Sequence, residues 1–386
     1  MLSLNIVSPR TILVGGGTVA RVAEVLASHG LSRPLVVTDP WMVSSGTVER
    51  VLAPLRAAGI PLAVFSDTVP DPTDIVVEAG VAVFAAGDYD SIIGLGGGSP
   101  MDTAKAIAIL AAVGGHIRTQ KAPHAADRAA CPVICIPTTA GTGSEATRFT
   151  VITDTASDEK MLIAGLGALP LAAIVDYELT LTVPPRTTAD TAIDSLSHAL
   201  EAYVSKRATP VSDMYGERAM RLIGPNLRRV YNEPGNLAAR EAMMLGATLA
   251  GLAFSNASVA LVHGMSRPIG AHFHVPHGLS NAMLLPAVTR FGLSAALPRY
   301  ARAARCMGVA ADADADQVAG AKLLEELSAL NAELKVPRPS GYGIDPDRWN
   351  ALLPTMAAQA LASGSPANNP AVPSADEIIA LYQEAW

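Results

Sequence analysis

Eight histidines occur in this 386-residue sequence, and four of them, His263, His272, His274 and His277, fall within HGMSRPIGAHFHVPHG, residues 263–278. A complementary feature lies upstream in TAIDSLSHALEAY, residues 191–203, where Asp194 and His198 stand at i and i+4. On a helix that spacing puts both side chains on one face about a turn apart. An aspartate and a histidine projecting from an otherwise apolar helix suit a divalent metal, although the pair alone also reads as a satisfied polar contact. A catalytic divalent site needs three or four protein ligands and an open position, which the histidine cluster could complete. Ligand histidines are usually fixed by a further hydrogen bond.

Two loops carry a different chemistry. GLGGGSPMDTAKAIA, residues 94–108, directly follows a strand-like run. Gly96, Gly97 and Gly98 let backbone approach a ligand closely, and Ser99 with the first turn of the next helix offers N–H groups suited to a pyrophosphate. The pattern is neither a Walker loop nor G-x-G-x-x-G. IPTTAGTGSEAT, residues 136–147, places Thr138, Thr139, Thr142 and Ser144 around two glycines. Such hydroxyls can bond phosphate or ribose oxygens without added charge. The competing reading is a helix start capped at Ser144. GGGTVA, residues 15–20, is a weaker candidate phosphate loop.

The elements that must position these residues alternate through the first half. Strands are expected at 11–14, 34–38, 62–65, 91–94, 133–136 and 172–175, with helices at 18–29 and 45–58 and after the glycine triplet. That rhythm predicts βαβ units, a parallel sheet covered on both faces, and ligands at the carboxyl ends of its strands. After Pro184-Pro185 the pattern becomes helical: 187–204, 210–230, 236–254, 278–291, 313–334, 346–360 and 375–386. The last begins with Ser374 and Glu377, a capping-box spacing. SGSPANNPAVPSA, residues 363–375, reads as an ordered connection. The expected domains are 1–185, an α/β dinucleotide-binding domain with a parallel sheet, and 186–386, an all-helical domain for metal and substrate.

Composition narrows the function. Half the residues are apolar, 16% are charged and the net charge is −7, so a large core forms and no basic face is available for nucleic acid. Cys131, Cys135 and Cys306 are too sparse for a disulfide framework and fit a reducing compartment; Cys131 and Cys135 read as buried filler in a strand-like run. MLSLNIVSPR lacks a signal-peptide pattern, and no uninterrupted apolar run is long enough for a membrane span. A cytoplasmic globular protein is expected.

GGGSPMDTAKAIA, PTTAGTGSEAT, DSLSHALEAY and HGM…PHGLSNAMLLP, in that order and over essentially the whole chain, resemble the iron-containing alcohol dehydrogenase family. The resemblance implies a dehydroquinate synthase-like two-domain plan with NAD(P) and a divalent metal, Fe(II) or Zn(II), bound in the cleft between the domains. It implies Asp194, His198, His263 and His277 as metal ligands, with His263 at the end of a helix interrupted by Pro268 and His277 opening the next. His272 and His274 match no ligand position and are expected near the site or in its loop. Gly96, Gly97, Gly98 and Ser99 match the pyrophosphate loop, with Asp102 near the nicotinamide; Thr138, Thr139 and Thr142 match cofactor contacts, and Lys160 a lysine near the ribose. Hydride passes between the substrate carbon and the nicotinamide, with the ion as Lewis acid and no side-chain nucleophile. Homodimers or larger homo-oligomers are implied.

Asp39 ends the second strand, where a carboxylate bonds ribose hydroxyls and repels a 2′-phosphate, which favours NAD over NADP; the other reading is a turn residue before Pro40. Three positions depart from the family pattern. Asp71 stands where relatives often have Asn, and Arg148 where Asn is common. Arg267 replaces a histidine thought to line the substrate site. Arginine cannot shuttle protons at neutral pH but grips carboxylate or phosphate bidentately, so an anionic substrate such as a hydroxy acid or acid semialdehyde is expected, against the alternative that Arg267 pairs with a structural carboxylate. Runner-up functions are a dehydroquinate synthase-like lyase, a maleylacetate-type reductase and a non-catalytic metal- or nucleotide-binding module.

Overall fold

The structure, a computed structural model, describes residues 4–386. It has two compact units, one of Val7–Val183 and one of Pro184–Trp386 with residues 4–6. The first is α/β and the second all-helical, the class expected from the sequence.

In the first unit, strands β1 (Thr11–Val14), β2 (Pro34–Val37), β3 (Ala63–Phe65), β4 (Ser91–Gly96), β5 (Val133–Pro137) and, further on, β8 (Ala172–Val175) form one parallel sheet in the order β1-β8-β5-β4-β2-β3. The inner strands are buried on both faces, which is why PLVV, VICIP and AAIV are continuous apolar runs without alternation. Neighbouring residues point to opposite faces, so Ile93, Ile134 and Ile174 pack with α1 (Val22–Ser28) and α3 (Glu49–Ala57), the latter preceded by the short α2 (Pro40–Ser44). Ile92 and Cys135 face the other core with α4 (Asp74–Ala86) and α5 (Gly98–Val113). The chain leaves β2 for β3 through α3 and β4 for β5 through α5, toward opposite edges and on opposite faces. The carboxyl ends of β2 and β4 therefore flank the crevice where such sheets bind ligands. Thr38 Oγ1 donates to Leu95 O at 2.9 Å across that point.

Several details differ from expectation. Residues 18–29 are a 3₁₀ turn, Thr18–Arg21, followed by the shorter α1. The helix predicted over 45–58 begins only at Glu49, and α2 and α4 were not anticipated. Nor was the antiparallel hairpin of β6 (Phe149–Asp154) and β7 (Glu159–Ala164). Cys131 lies just before β5, and burial pushes both its thiol and that of Cys135 up to about 12.

The hairpin is tied to α5 by Lys105, which is fully buried. Its Nζ donates to Ser144 O at 2.6 Å, Ser144 Oγ at 2.9 Å, Thr147 O at 3.1 Å and Phe149 O at 2.9 Å. Burial lowers this ammonium, against the fields of Cys135, Asp102 and Glu145. Asp102 is oppositely placed: burial raises its carboxyl, and Lys105 is first among the groups opposing that.

The second unit consists of α6 (Pro185–Val204), α7 (Pro210–Asn232), α8 (Leu237–Asn256), α9 (Leu261–Phe273), α10 (His277–Leu293), α11 (Leu297–Met307), α12 (Asp316–Glu333), α13 (Pro346–Ala362) and α14 (Ala375–Ala385). Ser374 and Glu377 form the expected capping box of α14, and Thr209 with Ser212 forms another on α7. By length and composition α8 alone among the described helices could cross a membrane, but its apolar window is 67% buried within the protein, against α6 and α7, as a core helix would be. Pro268 does not interrupt α9; it sits inside it, so His263 lies in the first turn rather than at the end. Pro268 lacks only the N–H that would bond Gly264, one bond in a helix held on other sides by packing. Tyr382 of α14, for instance, donates to Met265 O at 2.6 Å. Gly278 is required where α10 meets α6, because a Cβ there would lie 2.5 Å from Asp190 O.

The buried Lys105 contact set yields a stability prediction. Lys105→Ala leaves Asp102 and several carbonyls without their cation, so unfolding free energy should fall by about 3 kcal/mol or more. Urea denaturation of the full chain checks this, and a loss under about 0.5 kcal/mol would contradict it.

Candidate functional site

α6 is buried along nearly its whole length, yet it carries Asp194, His198 and Glu201 at i, i+4 and i+7, one stripe of the helix. His263 from the first turn of α9 and His277 from the first residue of α10 come to the same stripe. The imidazole Nε2 atoms of His198, His263 and His277 lie 3.9, 3.7 and 3.9 Å from Asp194 Oδ1. His198 stacks between Phe254 of α8 and His263, with ring centroids 4.3 and 4.5 Å away. Side-chain exposure is 2% for Asp194, 5% for His198 and 3% for His263 but 36% for His277, so the cluster opens on the His277 side. Burial alone would raise the Asp194 carboxyl; without an ion, the fields of His198 and His277 in their protonated forms overcome it and hold Asp194 well below the carboxylate range.

Sequence reasoning missed Glu201. Its Oε1 accepts the Val262 N–H at 2.6 Å at the start of α9, and its Oε2 meets His263 Nδ1 at 2.5 Å. With Nδ1 donating to Glu201, the Nε2 lone pair of His263 faces Asp194, the tautomer a metal ligand needs. The signal was available in the spacing, since Glu201 continues the Asp194–His198 stripe by one more turn.

The donor set suits a divalent cation. An ion about 2.1 Å from each donor needs neighbouring donors roughly 3.0–3.4 Å apart, which a small inward movement of these side chains provides. One anionic oxygen and three neutral imidazoles are ligands for Fe(II) or Zn(II) alike.

His272 and His274 lie apart from this cluster. His272 is in the last turn of α9, its Nε2 2.9 Å from Gln359 Oε1; His274 caps the helix in a left-handed conformation, exposed. Arg267 is on α9, one turn beyond His263. Its Nη1 donates to Ser365 Oγ at 3.0 Å, and it forms no ion pair among the described residues, so the structural carboxylate partner considered from sequence is not seen. Burial lowers its guanidinium from the ordinary value, and the Glu201 carboxylate opposes that shift.

In the first unit, the glycine and threonine loops leave adjacent strands, with Gly96 paired to Pro137 in register. Gly96 has φ +145°, and a Cβ there would meet Pro100 Cγ at 2.6 Å. Helix α5 starts at Gly98, with Ser99 in its first turn and no side chain capping that end. A Cβ on Gly98 would lie 3.0 Å from Thr142 Cγ2, so the two loops touch. Thr138 N–H bonds Gly96 O at 2.9 Å, while the buried Thr139 Oγ1 has no hydrogen-bond partner among the described residues. Ser144 is not a helix cap: it sits in a three-residue 3₁₀ turn after Gly143, its hydroxyl donating to Asp102 Oδ1 at 2.7 Å. Asp102 Oδ2 accepts from Val151 N at 2.9 Å, so both carboxylate oxygens are engaged. Asp39 follows β2, and its Oδ1 caps α2 by accepting from Met42 N at 2.9 Å. Lys160 Nζ pairs with Asp71 Oδ1 at 2.7 Å, and Asp71 holds a left-handed φ of 51°. The GGGTVA turn differs from the other glycine loop. Its Gly17 and Val19 amides are taken by the buried Asp176 carboxylate, each at 3.1 Å.

Comparison with known proteins places this geometry in context. Residues 9–177 match the family model described as iron-containing alcohol dehydrogenase, and residues 188–386 match that of the C-terminal part of the Fe-containing alcohol dehydrogenase family. The NAD-dependent methanol dehydrogenase of Bacillus methanolicus is 38% identical over 338 residues, covering 88% of each chain. A solved 1,3-propanediol oxidoreductase superposes with a TM-score of 0.94 at 34% identity, covering 100% of both chains. The sulfoacetaldehyde reductase of Bifidobacterium kashiwanohense, solved with NAD+, has a TM-score of 0.89 and 27% identity, covering 100% of this chain and 99% of its own.

The Glu201 contact predicts a metal-affinity effect without contact to the ion. Glu201→Ala should weaken Zn(II) binding about 10–100-fold by freeing the His263 ring, whereas His272→Ala should leave it unchanged. Isothermal titration of chelator-stripped protein checks both; equal affinities in all three proteins would contradict the role of Glu201.

Proposed function

The chain belongs to the iron-containing alcohol dehydrogenase family and is an NAD- and metal-dependent oxidoreductase interconverting alcohols with aldehydes or ketones, and from that premise we propose which residues hold its cofactors and what class of substrate it takes. Asp194, His198, His263 and His277 hold the ion, Fe(II) or Zn(II). The observation that carries this reading is the convergence of three imidazole Nε2 atoms on one buried carboxylate oxygen. The bound ion supplies a Lewis acid for the substrate oxygen and NAD supplies the hydride acceptor.

The chain's own residues bind and orient. Gly96, Gly97, Gly98 and Ser99 offer amides to the pyrophosphate, favoured by the start of α5. The hydroxyls of Thr138, Thr139 and Thr142 line the neighbouring loop, and Thr139 has a hydroxyl to spare. Asp39 keeps Oδ2 for a ribose hydroxyl while Oδ1 caps α2, so its two sequence readings are compatible. Lys160, held by Asp71, approaches the ribose. Asp102 acts as a positioning residue near the nicotinamide, fixing Ser144 and β6 rather than reacting.

Arg267 binds an anionic group of the substrate, as in a hydroxy acid or acid semialdehyde. Support comes from a half-buried guanidinium whose one hydrogen-bond partner among the described residues is a neutral hydroxyl. A further support is that one relative reduces sulfoacetaldehyde, an anionic aldehyde. The α/β unit, Val7–Val183, forms the NAD-binding domain and Pro184–Trp386 the metal and substrate domain of a cytoplasmic homodimer or larger homo-oligomer, acting on small molecules without nucleic-acid or membrane partners.

Two measurements test the proposal. Arg267→Ala should lower kcat/KM for acid semialdehydes about 10–100-fold more than for neutral aldehydes, from the loss of a charge-assisted pair. Equal losses on both classes would sink the anionic-substrate reading. Asp39→Gly should raise the ratio of NADP to NAD use by removing the repulsion of a 2′-phosphate, and an unchanged ratio would remove Asp39 from the ribose site.

A further inference from the structure

Lys160 and Asp71 make an ion pair of unequal exposure. The lysine side chain is 7% exposed and the aspartate 49%, with Nζ 2.7 Å from Oδ1. Lys160 Nζ makes no other hydrogen bond among the described residues, so two of its three N–H groups are unused. Asp71 has a φ of 51°, a left-handed conformation that Gly or Asn enters as readily. What an aspartate adds at this position is charge. Its loop is fastened to the β6–β7 hairpin: Thr153 N donates to Pro72 O at 2.7 Å, Thr73 bridges to Thr153, and Thr153 is opposite Lys160 in register. Backbone on both sides thus holds carboxylate against ammonium.

The pair stands at the nicotinamide end of the site in the reading above. Asp102 holds β6 at Val151, whose N–H bonds Asp102 Oδ2 at 2.9 Å. Val151 and Thr153 share one face of β6, about 7 Å apart along the strand, and Lys160 lies across from Thr153. The two redox forms of NAD differ most in that region. The oxidised nicotinamide ring carries one positive charge and the reduced ring none, while ribose and pyrophosphate are unchanged. A lone buried ammonium beside the ring therefore disfavours the oxidised form relative to the reduced one. A carboxylate at hydrogen-bond distance from the ammonium cancels most of that field at longer range.

We propose that Asp71 offsets the charge of Lys160 beside the nicotinamide and so sets the relative affinity for oxidised and reduced cofactor. The inference rests on the placement of Lys160 at the ribose and of Asp102 near the nicotinamide. Asp71 acts through Lys160 and through its own field, without touching the cofactor. Substitutions at the two ends of the pair must then act in opposite directions. Removing the carboxylate leaves a lone cation, and removing the ammonium leaves a lone carboxylate.

Dissociation constants of NAD+, NADH and ADP-ribose for the full chain, measured by isothermal titration, test this without turnover. ADP-ribose lacks the nicotinamide, so it reports changes that all three ligands share. Asp71→Asn keeps the shape and the left-handed turn and removes the charge. It should raise the ratio of the NAD+ constant to the NADH constant about 3–10-fold. Lys160→Met keeps the apolar stem and should lower that ratio. An Asp71→Asn ratio equal to or below that of the wild type would overturn the proposal. So would ratio shifts of the same sign in both variants, which belong to a distorted loop and not to charge. If thermal melting shows Lys160→Met unfolded, Asp71→Asn decides alone, a raised ratio supporting the proposal and any other overturning it. Wild-type affinity of folded Lys160→Met for all three ligands instead refutes the placement of Lys160 at the ribose, which keeps the two failures distinct.

Discussion

A carboxylate 2% exposed inside a helical bundle is the constraint around which the second unit is arranged. Ionised and unpaired, Asp194 would be strongly destabilising, because a buried charge loses its hydration without compensation. It stays ionised because three imidazoles from α6, α9 and α10 and the Asn281 amide surround its outer oxygen. Each must arrive from a different direction, which fixes where the helices begin. α10 has to start at His277, and Gly278 has to lack a side chain so that α10 can lie against α6. α9 has to start just before His263, and Glu201 secures that start by accepting the Val262 amide with the oxygen not bonded to His263. The ligand cluster and the helix boundaries are thus one arrangement seen at two scales.

The first unit shows how a fold chooses between similar turns. Two glycine-rich turns follow two parallel strands, and both point amides away from a strand end. After β1 the amides are satisfied by Asp176, a carboxylate of the chain itself, which closes the turn to any external anion. After β4 no side chain among the described residues plays that part, and α5 begins with Gly98 and Ser99 uncapped. β4 also borders the crevice where strand connections reverse, whereas β1 is at the sheet edge. Position in the sheet and the absence of an internal carboxylate therefore agree on the loop that suits a pyrophosphate.

Much of this was legible in the sequence, for identifiable reasons. The central strands and long helices follow from apolar runs and periodicity, and Asp194 with His198 stands out because polar pairs at i, i+4 are conspicuous on an apolar helix. The four histidines of 263–278 are not separable by spacing alone; resemblance to a family was needed to single out His263 and His277. Glu201 and Asn281 were missed for the same physical reason. A Glu or Asn in a helix is ordinarily solvent-facing, so although Glu201 continues the Asp194–His198 stripe, tertiary packing was needed to show that both are buried. The β6–β7 hairpin was missed although FTVITD alternates, because its burial comes from contact with α5 and not from a turn marked by Asn-Gly or Asp-Gly. Pro268 misled in the opposite direction, since a proline breaks a helix only where packing does not hold both sides of it.

Charge balance connects the arginine to the ion. Asp194 and Glu201 are both buried carboxylates, and Arg267 is a half-buried guanidinium close enough to feel Glu201. With neutral imidazoles, these three groups and a divalent ion leave one net positive charge in a region of low dielectric. A neutral side chain at position 267 would bring the same count to zero. In the proposed metal-bound site Arg267 would therefore do more than add a hydrogen-bond donor: it would leave the surroundings of the ion cationic. A pocket of that kind disfavours cationic ligands, is indifferent to neutral alcohols in Coulombic terms, and gains when a carboxylate, phosphate or sulfonate enters. Among the described residues the arginine hydrogen-bonds a serine hydroxyl of the segment that connects to α14 and forms no ion pair, so in the proposed reading an arriving anion would have no carboxylate to displace.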